Sequence, residues 1–184
     1  ISVVDPATQS VVRRNLNKHI DYASPYNPVP NATSEKSLAF PLDMAFTADG
    51  SKLYVAAFGS SKVGTFVPSQ IEDGSFVPDS ADHIEVSGGG PSGLVLDEAR
   101  SRLYVMTRFD NSISVVNTAI GAEVDHLALH NPEPASVVQG RPFLYNARYT
   151  SARGDQACAS CHVFGDFDSL AWDLGNPDDD VLNN

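Results

Sequence analysis

The two cysteines of this chain stand three positions apart, and a histidine follows the second: Cys158-Ala159-Ser160-Cys161-His162. C-x-x-C-H is the attachment signature of covalently bound c-type haem. Its spacing has a mechanical reason. Two thiols about one helical turn apart lie on one face, and each can add to a haem vinyl group. The adjacent imidazole then lies beneath the ring, with a nitrogen available to iron, so His162 is the expected metal ligand. Chance placement is a poor account, since these Cys and His frequencies produce the pattern in roughly six of ten thousand shuffled chains. A thioredoxin-like redox pair needs a preceding strand and a βαβ context, and a zinc site needs two more Cys or His ligands nearby. Neither context is visible in the sequence. Haem is joined to such motifs outside the cytoplasm, which predicts a periplasmic or otherwise exported protein.

The neighbouring residues suit that cofactor. Gly154 and Asp155 are expected to end one helix and cap the next, which carries the cysteines. Phe143, Leu144 and Tyr145 supply apolar bulk for a haem face, with Phe143 a candidate contact. Arg148, with Arg141 and Arg153, can pair bidentately with the propionates, and each also reads as an ordinary surface arginine. Phe164, Phe167 and Trp172 are expected to pack near the porphyrin. Asp166, Asp168, Asp173 and Asp178 to Asp180 are oxygen ligands of the kind calcium takes, but their order does not follow the EF-hand spacing, which favours a solvated acidic tail. No methionine follows His162, and Met44 and Met106 fall within expected strands. For a sixth iron ligand, His126 and His130, on the expected linker, stand ahead of the more remote His19 and His83.

The chain that must position this motif has 184 residues, with 12 Lys plus Arg against 23 Asp plus Glu, a formal net charge of -11. Such a surface repels phosphate, so nucleic acid is not an expected partner. The apolar runs are far shorter than the ~20 residues of a membrane-spanning helix, so no transmembrane segment is expected. A basic start followed by an apolar run is also missing, so the chain is not expected to be a precursor carrying its signal peptide.

Residues 1–130 repeat. Pro41-Leu-Asp-Met-Ala-Phe leads through Asp49-Gly50 to Leu53-Tyr54-Val55 and then Val63. Fifty positions on, Pro91-Ser-Gly-Leu-Val-Leu leads to Leu103-Tyr104-Val105 and then Ile113. Ile1-Ser-Val-Val-Asp5 matches Ile113-Ser-Val-Val-Asn117 almost letter for letter. Each unit reads as short β-runs separated by turns, with Asp49-Gly50 a tight hairpin, Leu53 to Ala57 and Val63 to Val67 strands, and Asp82 to Val86 a fourth. A period of this length with four strands is that of a propeller blade. Residues Arg13 to Ala39 do not repeat, and with Pro25, Pro28, Pro30, Asn27 and Asn31 they read as a long inserted loop.

The units resemble the YVTN-type β-propeller repeat, with its Leu-Tyr-Val strand after an aspartate-glycine turn; in the second copy Ala99-Arg100 stands at that turn. Gly140, Arg141, Phe143, Leu144, Arg148, Ser151, Gly154, Cys158, Cys161 and His162 resemble the entry to the first haem domain of the di-haem cytochrome c peroxidase and MauG-like family. Asn146-Ala147-Arg148 departs from that family, where an aspartate more often stands two before the arginine. Together the resemblances imply a mainly β chain with a small α domain. Two to three propeller blades (residues 1–130) would precede an α-helical cytochrome c-type haem segment (131–184). Because propellers close with more blades, chain outside these residues is expected to complete the ring, or failing that a second copy.

The function implied is one-electron transfer through covalent haem c, with a redox partner protein or small electron donor. One version is a di-haem peroxidase-like enzyme with the propeller as scaffold. The alternative is a non-catalytic electron-transfer protein whose propeller docks a partner.

Overall fold

The computed structural model describes residues 1–25, 27–167, 169, 171–172 and 182–183. The chain opens with a hairpin, β1 (Ser2–Asp5) and β2 (Ser10–Arg13), whose turn is held by the Asp5 carboxylate accepting from Ala7 N–H at 2.9 Å. A helical turn, α1 (Ala32–Lys36), follows. Two four-stranded antiparallel sheets come next. The first is β3 (Pro41–Phe46), β4 (Leu53–Ala57), β5 (Lys62–Phe66) and β6 (His83–Glu85), with α2 (Pro68–Asp73) between its last two strands. The second is β7 (Pro91–Asp97), β8 (Arg102–Thr107), β9 (Ser112–Asn117) and β10 (Ala122–Ala128). Each is a plain meander in which neighbours in sequence are neighbours in space.

The repeat extends to irregularities that composition does not reveal. A bulge falls between Pro41 and Asp43 in the first sheet and between Pro91 and Gly93, fifty positions later, in the second. Ser61 and Asn111, again fifty apart, both take left-handed backbone (φ +55° and +60°) as the chain enters the third strand. Asp49-Gly50 makes the expected turn, with Gly50 at φ +69° donating to the Thr47 carbonyl at 2.9 Å. Where the second copy has Ala99-Arg100, a 3-10 turn takes over, and the Asp97 carboxylate accepts from Arg100 N–H at 3.1 Å.

Two cores hold these layers. One face of the first sheet (Tyr54, Val63, Ile84, Val86) packs against Leu103, Val105 and Val116 of the second. Its other face, through Leu53, Val55 and Ala57, packs against Leu16, Leu38, Ile71 and Phe76, with Ile1 and Val3 from the hairpin. The stretch expected to be a long inserted loop thus contributes core. Asn31 caps α1 by accepting from Thr33 and Ser34 N–H groups. Buried Asn17 exchanges two hydrogen bonds with the Leu38 backbone, at 2.8 and 2.9 Å. A long non-repeating segment satisfies its backbone in this way only once folded against a sheet, which periodicity does not report.

After residue 130 come α3 (Ala135–Tyr145) and α4 (Ala147–Thr150), docked on the equivalent turns of both sheets. The Tyr145 ring meets Phe58 edge-on at 5.7 Å, and Phe58 meets Phe109 at 5.2 Å. Buried Asn146 caps α4 at Arg148 N–H and donates to Ser61 Oγ at 3.1 Å. Losing a buried cap and a buried side-chain bond together sets a prediction: Asn146→Ala lowers stability by about 2 kcal/mol, measured by urea denaturation. Among the described residues no helix is long and apolar enough to cross a membrane.

Candidate functional site

The cysteine motif folds as a single helical turn. Residues Cys158–Ser160 form a 3-10 turn, Cys161 N–H and His162 N–H both donate to the Cys158 carbonyl (3.2 and 3.0 Å), and Cys161 has helical backbone. Ser160 closes the turn from below, its Oγ accepting from Ala157 N–H at 3.0 Å. The sequence led us to expect a helix here; the structure has one turn, entered from Gly154. That glycine has φ +73°, and a Cβ on it would lie 2.9 Å from the Ser34 backbone, so only glycine allows the chain to pass so close to α1.

Both thiols are free, Cys158 exposed and Cys161 half-buried. His162 is half-buried, and its Nδ1 lies 3.0 Å from the Asp166 carbonyl. A carbonyl only accepts, so Nδ1 carries a proton, and in the neutral ring Nε2 is then the nitrogen with the lone pair. Holding one ring nitrogen on a backbone carbonyl is how a metal-binding histidine is oriented and its tautomer set. Among the described residues Nε2 makes no hydrogen bond. Helix α3 packs against this turn, and Leu144 reaches Gly165. The segment also leaves Phe143, Tyr149, Val163 and Phe167 exposed, the first two with rings 5.8 Å apart. Covalent attachment of a haem uses two spaced thiols, an imidazole with an open nitrogen and apolar surface, and these residues offer all three. Among the described residues no three His, Cys, Asp or Glu side chains converge as an ion site. Asp166 is the one described member of the acidic tail; Asp168, Asp173 and Asp178 to Asp180 lie outside the described residues, as do the side chains of Phe164 and Trp172.

The three arginines are engaged elsewhere on the protein. Arg148 Nη1 donates to Glu85 Oε2 at 2.7 Å, joining α4 to the end of β6. Arg141 donates to the Arg108 and Phe109 carbonyls and pairs with Glu133. Arg153 donates to the Tyr22 and Ser24 carbonyls, its guanidinium 5.3 Å over the Tyr22 ring. A cavity of about 640 Å³ opens beside Arg148, lined by Glu35, Glu85, Glu123, Ser61 and Asn146 but by neither cysteine nor His162. Lys62, 2% exposed, lies behind Glu35 and Glu85, with Nζ donating to the Glu35 carbonyl at 2.7 Å. Burial lowers its pKa against the opposing pull of Glu85 and Glu35. The sequence singled out neither the cavity nor Lys62, because an isolated lysine in a β-run carries no signal of burial.

His126 lies within β10 rather than on a linker, and both ring nitrogens face carboxylates: Nε2 to Asp110 at 2.7 Å, Nδ1 to Glu123 at 3.1 Å. Desolvation works against its charge, but Asp110 and Glu123 outweigh it and raise the pKa. Held this way, His126 does not offer a nitrogen to iron. His130 is exposed beyond β10, and His19 Nε2 lies 3.1 Å from the Thr33 carbonyl.

His83 is the opposite case: burial, then the Lys62 ammonium, push its pKa down to about 4. A histidine with a depressed folded-state pKa stays neutral when folded, while the unfolded chain takes up a proton, so stability falls as pH drops from about 6.5 to about 4. At about 1.4 kcal/mol per unit the ceiling is about 3 kcal/mol, and solvent screening at this part-exposed site halves it to about 1.5. Urea midpoints at pH 7 and pH 4.5 check this: His83→Gln flattens the difference.

No family model matches this chain, and no curated protein matches it. Solved structures with local similarity include Kuenenia stuttgartiensis hydrazine synthase (18% identity, 50% of this chain and 26% of that one, TM-score 0.41). BF1038 of Bacteroides fragilis NCTC 9343, named as a 6-phosphogluconolactonase, is 16% identical over 59% of this chain and 32% of its own, with a TM-score of 0.42. A nidogen/laminin complex is 20% identical over 50% of this chain and 32% of that one, with a TM-score of 0.39. The chain spans about a quarter to a third of the length of each.

Proposed function

We propose that this chain is an exported c-type haem protein that transfers electrons one at a time, its two sheets being successive blades of a β-propeller. The observation that carries the haem reading is the geometry at residues 158–166. The thiols of Cys158 and Cys161 share one helical turn, and the Asp166 carbonyl holds His162 so that Nε2 is the open nitrogen. Cys158 and Cys161 would hold the macrocycle and His162 its iron; haem bound there supplies a one-electron iron couple. Around it the protein's own residues orient and shield. Asp166 sets the His162 tautomer, α3 braces the turn, and Phe143 with Val163 offers apolar cover. Arg148 would have to leave Glu85 to reach a propionate.

Propeller blades are favoured by the meander order of both sheets and by their shared fifty-residue register of bulges and left-handed turns. Within this reading, a di-haem peroxidase-like enzyme is the catalytic form, resting on the resemblance around residues 140–162. The test is an alkaline pyridine haemochrome spectrum on protein made with a haem-attachment system, before and after acid-acetone extraction. Extraction-resistant c-type haem supports the proposal, and its absence overturns it. Reaction of the oxidised form with hydrogen peroxide selects the enzyme; inertness selects the electron carrier.

A further inference from the structure

We propose that His126 is a pH-operated latch: its imidazolium, held between Asp110 and Glu123, ties the linker between the two sheets to β10, and loss of its proton unties it. The ring is bound on both sides. Nε2 lies 2.7 Å from Asp110 Oδ2, and Nδ1 lies 3.1 Å from Glu123 Oε1. An ionised carboxylate only accepts, so both nitrogens carry protons in this arrangement. Glu123 also holds the linker, accepting from Ser87 N–H at 2.7 Å and from the Ser87 hydroxyl at 2.9 Å. Gly88 lies against the same group: a Cβ on it would collide with Thr107 Oγ1 and Asp110 Oδ1 and stand 2.7 Å from His126 Cε1. Fully buried Thr107 fixes the other carboxylate by donating to Asp110 Oδ1 at 3.1 Å. The 108–110 turn is also the seat of α3, whose Arg141 donates to the Arg108 and Phe109 carbonyls. The latch therefore joins the linker to the turn beneath the helix that braces the cysteines.

A neutral ring cannot serve both carboxylates. The shorter bond keeps the remaining proton on Nε2, facing Asp110, and the Nδ1 lone pair then faces Glu123 Oε1. The donors at hand are the Ser87 and Ser114 hydroxyls, each 3.3 Å from Nδ1. Ser87 Oγ turns from Glu123 to His126, so Glu123 keeps only the Ser87 N–H and is freed toward the cavity it lines. The other charged groups on the elements around the ring are few. Strand β6, packed against β10, carries His83 and Glu85, and Glu85 is engaged by Arg148 and Lys62. Asp125 accepts from the His126 backbone N–H, and Arg108 stands two residues from Asp110. Strand β9 and the linker bring no titratable side chain. Desolvation opposes the imidazolium, but Asp110 and Glu123 outweigh it, so the ring titrates above its ordinary 6.5. A pKa raised by folding means that the latch is fully closed below about pH 6.5 and opens as pH rises through the folded value.

The experiment is an NMR titration of the full chain from about pH 5 to about pH 9, following the His126 ring nitrogens and the Ser87 amide. The ring is expected to titrate above pH 6.5, with the Ser87 amide shifting through the same midpoint. Asp110→Asn keeps an acceptor at Nε2 but removes a charge, so the ring midpoint falls and the Ser87 transition falls with it. His126→Gln abolishes the Ser87 transition, and His130→Gln, at the exposed end beyond β10, leaves it in place. A ring midpoint at or below 6.5, or a Ser87 amide indifferent to the ring's titration, overturns the proposal. So does a midpoint unmoved by Asp110→Asn. If His126→Gln does not fold, the two midpoints in the unaltered chain still decide. No haem enters the readout, so neither result bears on the haem reading.

Discussion

Replacing Cys158 and Cys161 together with alanine is expected to remove all acid-acetone-resistant haem and leave the fold intact. The thiols form no disulfide, Cys158 is exposed, and the turn that carries them is closed by backbone bonds and Ser160 rather than by sulfur. The unfolding free energy of the apoprotein, measured by urea denaturation, should therefore change by less than about 0.5 kcal/mol, as for a surface change. His162→Ala removes the nitrogen that the Asp166 carbonyl orients while keeping both thiols. It should retain covalent pigment at reduced yield, with the reduced-state spectrum altered, which separates attachment from ligation. Equal pigment loss in the double-cysteine variant and in His162→Ala, with unfolding of both by circular dichroism, would mean that the motif is a structural staple. Unchanged pigment in the double-cysteine variant would show that haem is held elsewhere.

Leu103→Ala is expected to be among the most damaging single changes, lowering stability by about 2–5 kcal/mol through lost burial and the cavity left behind. Leu103 is fully buried at the interface of the two sheets, with Val105 and Val116 beside it. Leu53→Ala, its repeat equivalent, opens the core against the hairpin and Leu16 and should cost a similar amount. Val95→Ala serves as control, since Val95 is 66% exposed and its truncation should cost under about 0.5 kcal/mol. The two leucines belong to different core clusters, so their effects should add. Strong non-additivity would mean that the two cores are coupled, with truncation of one leucine changing the packing around the other.

Much of the β architecture was legible because its signals are local. Alternating apolar residues at Met44 to Phe46, the Asp49-Gly50 turn and the Leu-Tyr-Val runs locate the strands, and β4 spans the expected Leu53 to Ala57. The expected fourth strand at 82–86 is present as His83–Glu85. Likewise the spacing of Cys158, Cys161 and His162 anticipates a shared turn, since three and four residues bring side chains to one helical face. The Asx cap of α1 was equally local, with Asn31 three residues before Ser34, but it was masked by the surrounding prolines and asparagines.

Tertiary structure alone decided the partners of the charged groups. Arg148 goes to Glu85, Arg141 to the carbonyls at 108 and 109, and His126 Nε2 to Asp110, over sequence separations from 16 to 63 residues. Lys62 is buried because α1 and the end of β6 close over it, and His83 is held neutral by that same burial. The physical reason is one of range. Backbone periodicity and covalent spacing act over a few residues and are written in order along the chain. Desolvation and ion pairing depend on which distant loops meet, and that is settled only when the sheets and α3 pack together.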